Sequence, residues 1–274
     1  MNASRKPATF DEGLTAQMRG DFTSAIAIFE QVVEEHPTSA AAYHQMGRCQ
    51  MKLGDFGKAV SCFETAIRLG PDRIATRLDL GMLYFTMRDL SKAKAQFLKA
   101  LGASGSNVKA MSGLGIVYYH EKDFGKAIAQ FQQACTLNPS SFACHFYMAK
   151  IHQALNNPAG VREEALKSAA ICHGLVRTRP EQPEGHFFLA ETFVLQGEHR
   201  SALQNYLIAK DFSTAGSAHF FAFGLHYTLV DNYLGIARCY KLLGEKQYAR
   251  YFAQLTLKLE STNQEAKELI AAED

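Results

Sequence analysis

The sequence predicts an all-α solenoid built from pairs of helices, and three observations predict it. Residues of the same type recur every 34 positions, the mark of a repeat array. Inside each 34-residue unit the apolar residues follow the period of an amphipathic helix twice. Strand-like alternation of apolar and polar residues is absent.

The recurrence is seen in four coincident series. Gly13, Gly47, Gly81 and Gly115 stand 34 apart, with Ala149 continuing the step. Ala25, Ala59, Ala93 and Ala127 keep it, as do Phe29, Phe63, Phe97 and Phe131, then Ala66, Ala100 and Ala134. Pro37, Pro71 and Pro139 close three units, and Gly105 substitutes in another. Proline suits that place because it lacks the backbone donor and its ring clashes with the preceding helical turn.

Taken in order, the units span 6–39, 40–73, 74–107, 108–141, 142–182, 183–216 and 230–263, with a short tail at 1–5. In the second, "AAAYHQMGRCQMKL" sets Tyr43, Met46, Gly47 and Gln50 on one helix face. The turn "GDF" follows, then a second helix, "GKAVSCFETAIRL", with Ala59, Phe63 and Ala66 inward. Close packing of the two helices needs a vanishing side chain, so Gly47 is expected against Ala59. The fifth unit carries seven extra residues, assigned to the stretch around "NNPAGVR". The segment "QEAKELIAAED", 264–274, reads as a polar capping helix over the last apolar face. This accounting leaves no stretch for a catalytic domain.

The first unit departs from the pattern. Thr9 and Glu12 fall at core positions, while Phe10, Leu14 and Met18 are expected to form an apolar ridge open to self-association, giving a homo-oligomer by a head-to-tail contact. A second departure is "AHFFAFGLHYTLV", residues 218–230, within an uncharged run from Phe212 to Val230. Its apolar spacing matches a first helix, yet "DNYLGIARCYKLLG" begins another first helix 13 residues later. At about 100° per residue that offset turns the two apolar faces apart by roughly 220°. One long or kinked helix is expected there, with an inserted segment at 217–229. Phe220, Phe221, Phe223 and Tyr227 then form a surface for packing, self-association or peripheral membrane contact. The run has two histidines and several small polar residues, so it falls short of a spanning segment.

Composition narrows the function. Lys plus Arg is 29 and Asp plus Glu is 27, a balance that draws the chain neither to nucleic acid nor to an anionic surface. Hydrophobic residues at 47% exclude general disorder. "MNASRKPATF" has no apolar stretch after its basic pair and does not read as a secretory signal. Six cysteines occur singly, with no C-x-x-C pair, and read as small buried residues in a cytoplasmic chain. Cys144, His145 and His152 form the tightest metal-ligand grouping, but the two histidines are two helical turns apart, too far to share one ion. No metal and no cofactor is expected. A nucleophile elbow, a phosphate loop and an H-E-x-x-H motif are all missing, so an enzyme is not expected.

A 34-residue helix-turn-helix of this kind resembles the tetratricopeptide repeat. Residues 108–141 carry the match best, through Leu114, Gly115, Tyr118, Asp123, Phe124, Ala127, Phe131, Ala134 and Pro139. The resemblance covers nearly the whole chain. It implies a right-handed superhelix whose concave wall is lined by the first helix of each unit, at repeat positions 2, 5, 6, 9, 12 and 13. In this sequence those positions give His44, Arg48 and Lys52, then Phe85, then Tyr119. Phe146, Tyr147 and Lys150 follow, and Phe187, Phe188 and Glu191 after them. Rings beside cations suit an extended or helical peptide, with apolar anchors for affinity and charges for register. The family's two-carboxylate clamp is not supplied by any three successive units: the nearest set, His44, Arg48, Asp79, Lys109 and Gly113, contains Asp79, which would repel a carboxylate. The expectation is a non-enzymatic adaptor that captures a partner protein on its concave face. The alternative is a self-associating scaffold that links a membrane or cytoskeletal filament to partners.

Overall fold

The computed structural model describes residues 9–70, 74–213, 219–222 and 225–271. It divides into two compact units, Met1–Val117 and Tyr118–Asp274, the division falling within a helix. The first unit holds α1 (Phe10–Met18), α2 (Phe22–Glu35), α3 (Ala40–Leu53), α4 (Phe56–Leu69), α5 (Ile74–Thr86), α6 (Leu90–Ser104) and most of α7 (Val108–His120). The second holds α8 (Phe124–Leu137), α9 (Phe142–Ala154), α10 (Pro158–Thr178), α11 (Pro183–Gln196) and α12 (His199–Phe212). Then come β1 (His219–Ala222), β2 (Leu225–Thr228), α13 (Leu229–Leu242), α14 (Lys246–Leu259) and α15 (Gln264–Ala271). Within each unit, most helices adjacent in sequence pack against one another. The architecture is an all-α repeat of helix pairs with one small hairpin.

Each helix pair turns by the same device. The residue before the second helix's cap lies in the left-handed region: Gly20, Gly54, Arg88, Lys122, Asn156, Gly197 and Gly244, with φ between 54° and 82°. Glycine takes that conformation freely, whereas Arg88 and Lys122 hold it at a steric cost of about 1–2 kcal/mol. The next residue caps the second helix. Asp21, Asp89, Asp123 and Asn157 each accept a backbone N–H three residues on. At the same place Asp55 bonds the Lys58 ammonium at 2.8 Å. A side-chain cap of this type contributes about 1 kcal/mol.

Glycine and a ring make the interhelical contact. A Cβ added to Gly13, Gly47 or Gly81 would come within 2.5–2.7 Å of the ring of Phe29, Phe63 or Phe97, respectively. All three rings are essentially inaccessible. Gly47 therefore lies under Phe63: the ring of the second helix crosses over the first, and a Cβ at 47 would collide with it. Gly235 serves Tyr206 in the same way, at 2.5 Å.

Three expectations are corrected. Thr9 and Glu12 are not core residues but form a capping box that starts α1, each side chain bonding the other's backbone N–H. Phe10 and Leu14 pack against the first core, around Phe29 and Met46, with the Phe10 and Phe29 ring centres 5.4 Å apart. The apolar ridge thus dissolves, and only Met18, 81% exposed, stands free of it. In the fifth repeat the seven extra residues do not enlarge the turn, because α10 begins in register after its Asn157 cap and runs 21 residues against 14 for α8. The insertion is about 10 Å of added helix at the C-terminal end.

The largest correction concerns 218–230. Where a long helix was expected, β1 and β2 form an antiparallel hairpin pairing Phe220 with Tyr227 and Ala222 with Leu225. Its alternation is short but real: Phe220, Leu225 and Tyr227 are buried, while His219, Phe221, His226 and Thr228 are half-buried. Phe223, expected to join this surface, lies outside the described residues. A capping box between Thr228 and Asp231 then starts α13. Helix α15 packs on α13 and α14 through Ala266 and Leu269. Among the described residues no helix is long and apolar enough to cross a membrane.

Candidate functional site

The inner wall of the first unit is a charged row. His44, on α3, is buried, and its ring meets the edge of Phe63. Its Nε2 donates to Asp79 Oδ2 at 2.9 Å, and its Nδ1 bonds the Thr76 hydroxyl at 2.8 Å. Arg48 Nε approaches the same Asp79 oxygen at 3.8 Å, with half of the arginine side chain exposed. The row joins α3 to α5, and the Asp79 carboxylate accepts from the His44 ring and lies within ion-pair distance of Arg48. Lys52 and Phe85 are half-buried on the same two helices.

In the second unit the wall is aromatic. Tyr119 is half-buried and meets Tyr147 edge-on at 5.1 Å. Lys150 Nζ stands 5.1 Å from the centre of the Phe146 ring and 5.9 Å from that of Tyr147. A cation over a ring face is favourable by about 0.5–1 kcal/mol at such a site. The rings themselves are not open. Phe146, Tyr147, Phe187 and Phe188 are all less than a tenth exposed, at 4%, 7%, 4% and 3%.

Those four residues were expected to line an accessible groove, and the reason they do not is the packing around them. Tyr147 stacks on Phe131 of α8. Phe142 lies between Phe146 and Phe188, tying α9 to α11. Phe187 stacks face to face with Tyr227 of the hairpin at 3.8 Å, and Phe220 covers the other side of Tyr227 at 4.8 Å. Phe220 and Tyr227 are therefore held inside the chain and offer no self-association surface in this state. Phe221 pairs with His226, ring centres 4.6 Å apart, on the other hairpin face.

Glu191 lies further along α11 and accepts the Tyr206 hydroxyl. It borders a cavity of about 400 Å³ whose lining includes Arg238, Lys241, Leu242 and Leu269. Arg238 forms a two-armed ion pair with Glu265 of α15, which holds the Glu265 carboxyl below its usual range. The pair fastens the last helix across α13.

Not a metal but a buried carboxylate is the partner of His145. His145 Nδ1 donates to Glu164 Oε2 at 2.6 Å and Nε2 donates to the Pro139 carbonyl at 2.8 Å. Both partners are acceptors, so both ring nitrogens carry protons and the ring is an imidazolium. The Glu164 hydrogen bond raises the His145 pKa, and His145 and Lys167 together hold the Glu164 carboxyl below its usual range despite its burial. A histidine 19 residues before a glutamate is too common a spacing to have signalled the pair. No group of three or more His, Cys, Asp or Glu side chains is placed to hold a metal among the described residues.

Models of the tetratricopeptide repeat match residues 16–76 and 78–142. Over those residues the chain is a tetratricopeptide repeat protein. Solved structures agree on the fold. A tetratricopeptide repeat protein from Parabacteroides merdae is similar over 96% of both chains, at 16% identity and a TM-score of 0.59. Human IFIT1, solved as a dimer with PPP-AAAA, matches 92% of this chain and 58% of its own, at 16% identity and a TM-score of 0.65. The Cut9–Hcn1 hetero-tetramer of the APC/C matches 95% of this chain and 48% of its own, at 16% identity and a TM-score of 0.66. No curated protein sequence matches the chain. At these identities the likeness is one of fold. Tetratricopeptide repeats generally mediate contacts between proteins.

Proposed function

We propose that the chain is a non-enzymatic adaptor or scaffold that captures a segment of a partner protein on its first-helix walls. The array comprises seven repeats over residues 6–263, with 264–274 as a cap. The observation that carries the reading is the α9 wall, where Lys150 stands over the Phe146 and Tyr147 rings beside half-buried Tyr119. A partner's apolar side chain would pack on half-buried Tyr119 while a carboxylate pairs with Lys150. Arg48 offers a second half-exposed cation, in the first unit. All six cysteines are free thiols, which suits a reducing, cytoplasmic setting.

Affinity capture from the native host tests this with Lys150→Glu and Arg48→Glu, and with Lys258→Glu on the second helix α14 as the control. The expected result is a partner held by wild type and by Lys258→Glu but lost or depleted with Lys150→Glu. Equal recovery on all four chains would overturn the wall as the binding surface.

A further inference from the structure

The aromatic wall of the second unit already carries an occupant made by the chain itself. By the strand register, Phe220, Ala222, Leu225 and Tyr227 share the hairpin face that meets the helices, and His219, Phe221, His226 and Thr228 share the other. Tyr227 is sandwiched between Phe187 and Phe220, within 3° and 17° of parallel, and meets the edge of Phe188 at 5.8 Å. Phe187 and Phe188 stand at the repeat positions from which a first helix faces a ligand. An extended backbone with rings on one face therefore fits this stretch of wall, because one is seated there.

We propose that the hairpin is a displaceable occupant of the partner site, and that the partner replaces it with an extended segment presenting an apolar and an aromatic side chain two residues apart. Leu225 and Tyr227 supply that pattern in the closed state. The inference rests on the adaptor reading given above and specifies which partner chemistry the wall accepts.

Three features favour exchange over a permanent piece of core. Two four-residue strands are marginal by themselves, so the hairpin is held by its docking rather than by its own ladder. Its seating is imperfect: the Tyr227 hydroxyl is buried without a hydrogen bond of normal geometry, and Ser213, whose hydroxyl influences it, donates to the Ala209 carbonyl at 2.7 Å. Leaving such a group unmet opposes the stacking by about 1–3 kcal/mol. Finally, the helices on either side close without the hairpin's inner face. Tyr206 packs on Gly235 between α12 and α13.

The probe is a fluorescein-labelled peptide with the chain's own residues 217–230, solubilised by a lysine tail and titrated against the full-length protein. The double variant Phe220→Ser, Tyr227→Ser releases the inner face. It is expected to bind the probe about tenfold or more tighter than wild type, since apparent affinity scales with the open fraction. Unlabelled peptide should compete, and peptide carrying Tyr227→Ser should not. Equal binding to both proteins, or competition indifferent to that tyrosine, overturns the proposal. Hydrogen exchange on the unmodified chain gives a second reading that no folding defect can confuse. A displaceable hairpin opens without the helices, so its amides should exchange at least about 100-fold faster than those of α11 and α13. Protection equal to those helices overturns exchange. Because neither measurement uses the natural partner, both can fail while partner loss on Lys150→Glu still upholds the adaptor reading.

Discussion

The pairs α3–α4 and α5–α6 and the stretch from α9 to α13 use aromatic residues in opposite ways. In the first region the decisive ring belongs to a second helix, Phe63 or Phe97, and disappears over a glycine of its partner. The inner wall there is left to His44, Asp79 and Arg48, which satisfy one another. In the second region the rings stand on the first helices, at Phe146, Tyr147, Phe187 and Phe188, and each needs a cover. The cover comes partly from neighbouring helices and partly from a hairpin outside the 34-residue rhythm. The repeat prescribes the contact between its two helices but not the chemistry of its wall. An apolar wall must therefore bring its own cover or take it from a partner.

The contrast can be broken experimentally, beginning where the effect is largest. Glu164→Ala should leave the His145 imidazolium without its buried partner and cost about 3 kcal/mol in urea unfolding. The pH profile sharpens this. The raised His145 pKa makes its contribution full below about 6.5 and lost as pH rises through the folded value. The lowered Glu164 pKa makes its contribution full above about 4.5 and lost as pH falls through the folded value. The stability difference between wild type and Glu164→Gln should therefore be greatest between those limits; a flat difference would deny the pair. Gly47→Ala forces a methyl into the Phe63 ring and should cost about 2 kcal/mol. Gly57→Ala, on the open side of α4 with nothing near its Cβ, should instead stabilise by up to about 1 kcal/mol. Lys122→Gly relieves a left-handed residue and should gain less than about 1 kcal/mol after glycine's entropy is counted, as a thermal melt would register. Tyr227→Phe should be neutral or slightly stabilising, since the buried hydroxyl it deletes lacks a hydrogen bond of normal geometry; a clear loss would reveal that Ser213 bonds it.

Much of the fold was legible because the repeat writes it many times. Gly13, Gly47 and Gly81, each 16 residues ahead of its phenylalanine, announce a helix pair by spacing alone. Even so, the Phe63 ring over Gly47 was not foreseen, because sequence gives the spacing of small residues and not the path of a ring between two helices. The hairpin was not legible for a related reason. Phe220, Phe223 and Tyr227 recur at three and four residues as a helix face does, while the alternation in "HFFA" and "LHYT" is too short to compete. Phe187 and Phe188 were located by repeat position, but Tyr227, which covers them, arrives from about 40 residues away. Ion pairs such as His145–Glu164 depend on which helix faces meet, and one charge among many gives no sign of it.

The central claim is that partners meet this chain on its first helices. Hydrogen exchange of the full-length protein with and without its captured partner tests that claim most directly. The account predicts new protection along α9 and α11, with α10 and α12 unchanged. Protection confined to α10, α12 or α14 would place the partner on the second helices and contradict it.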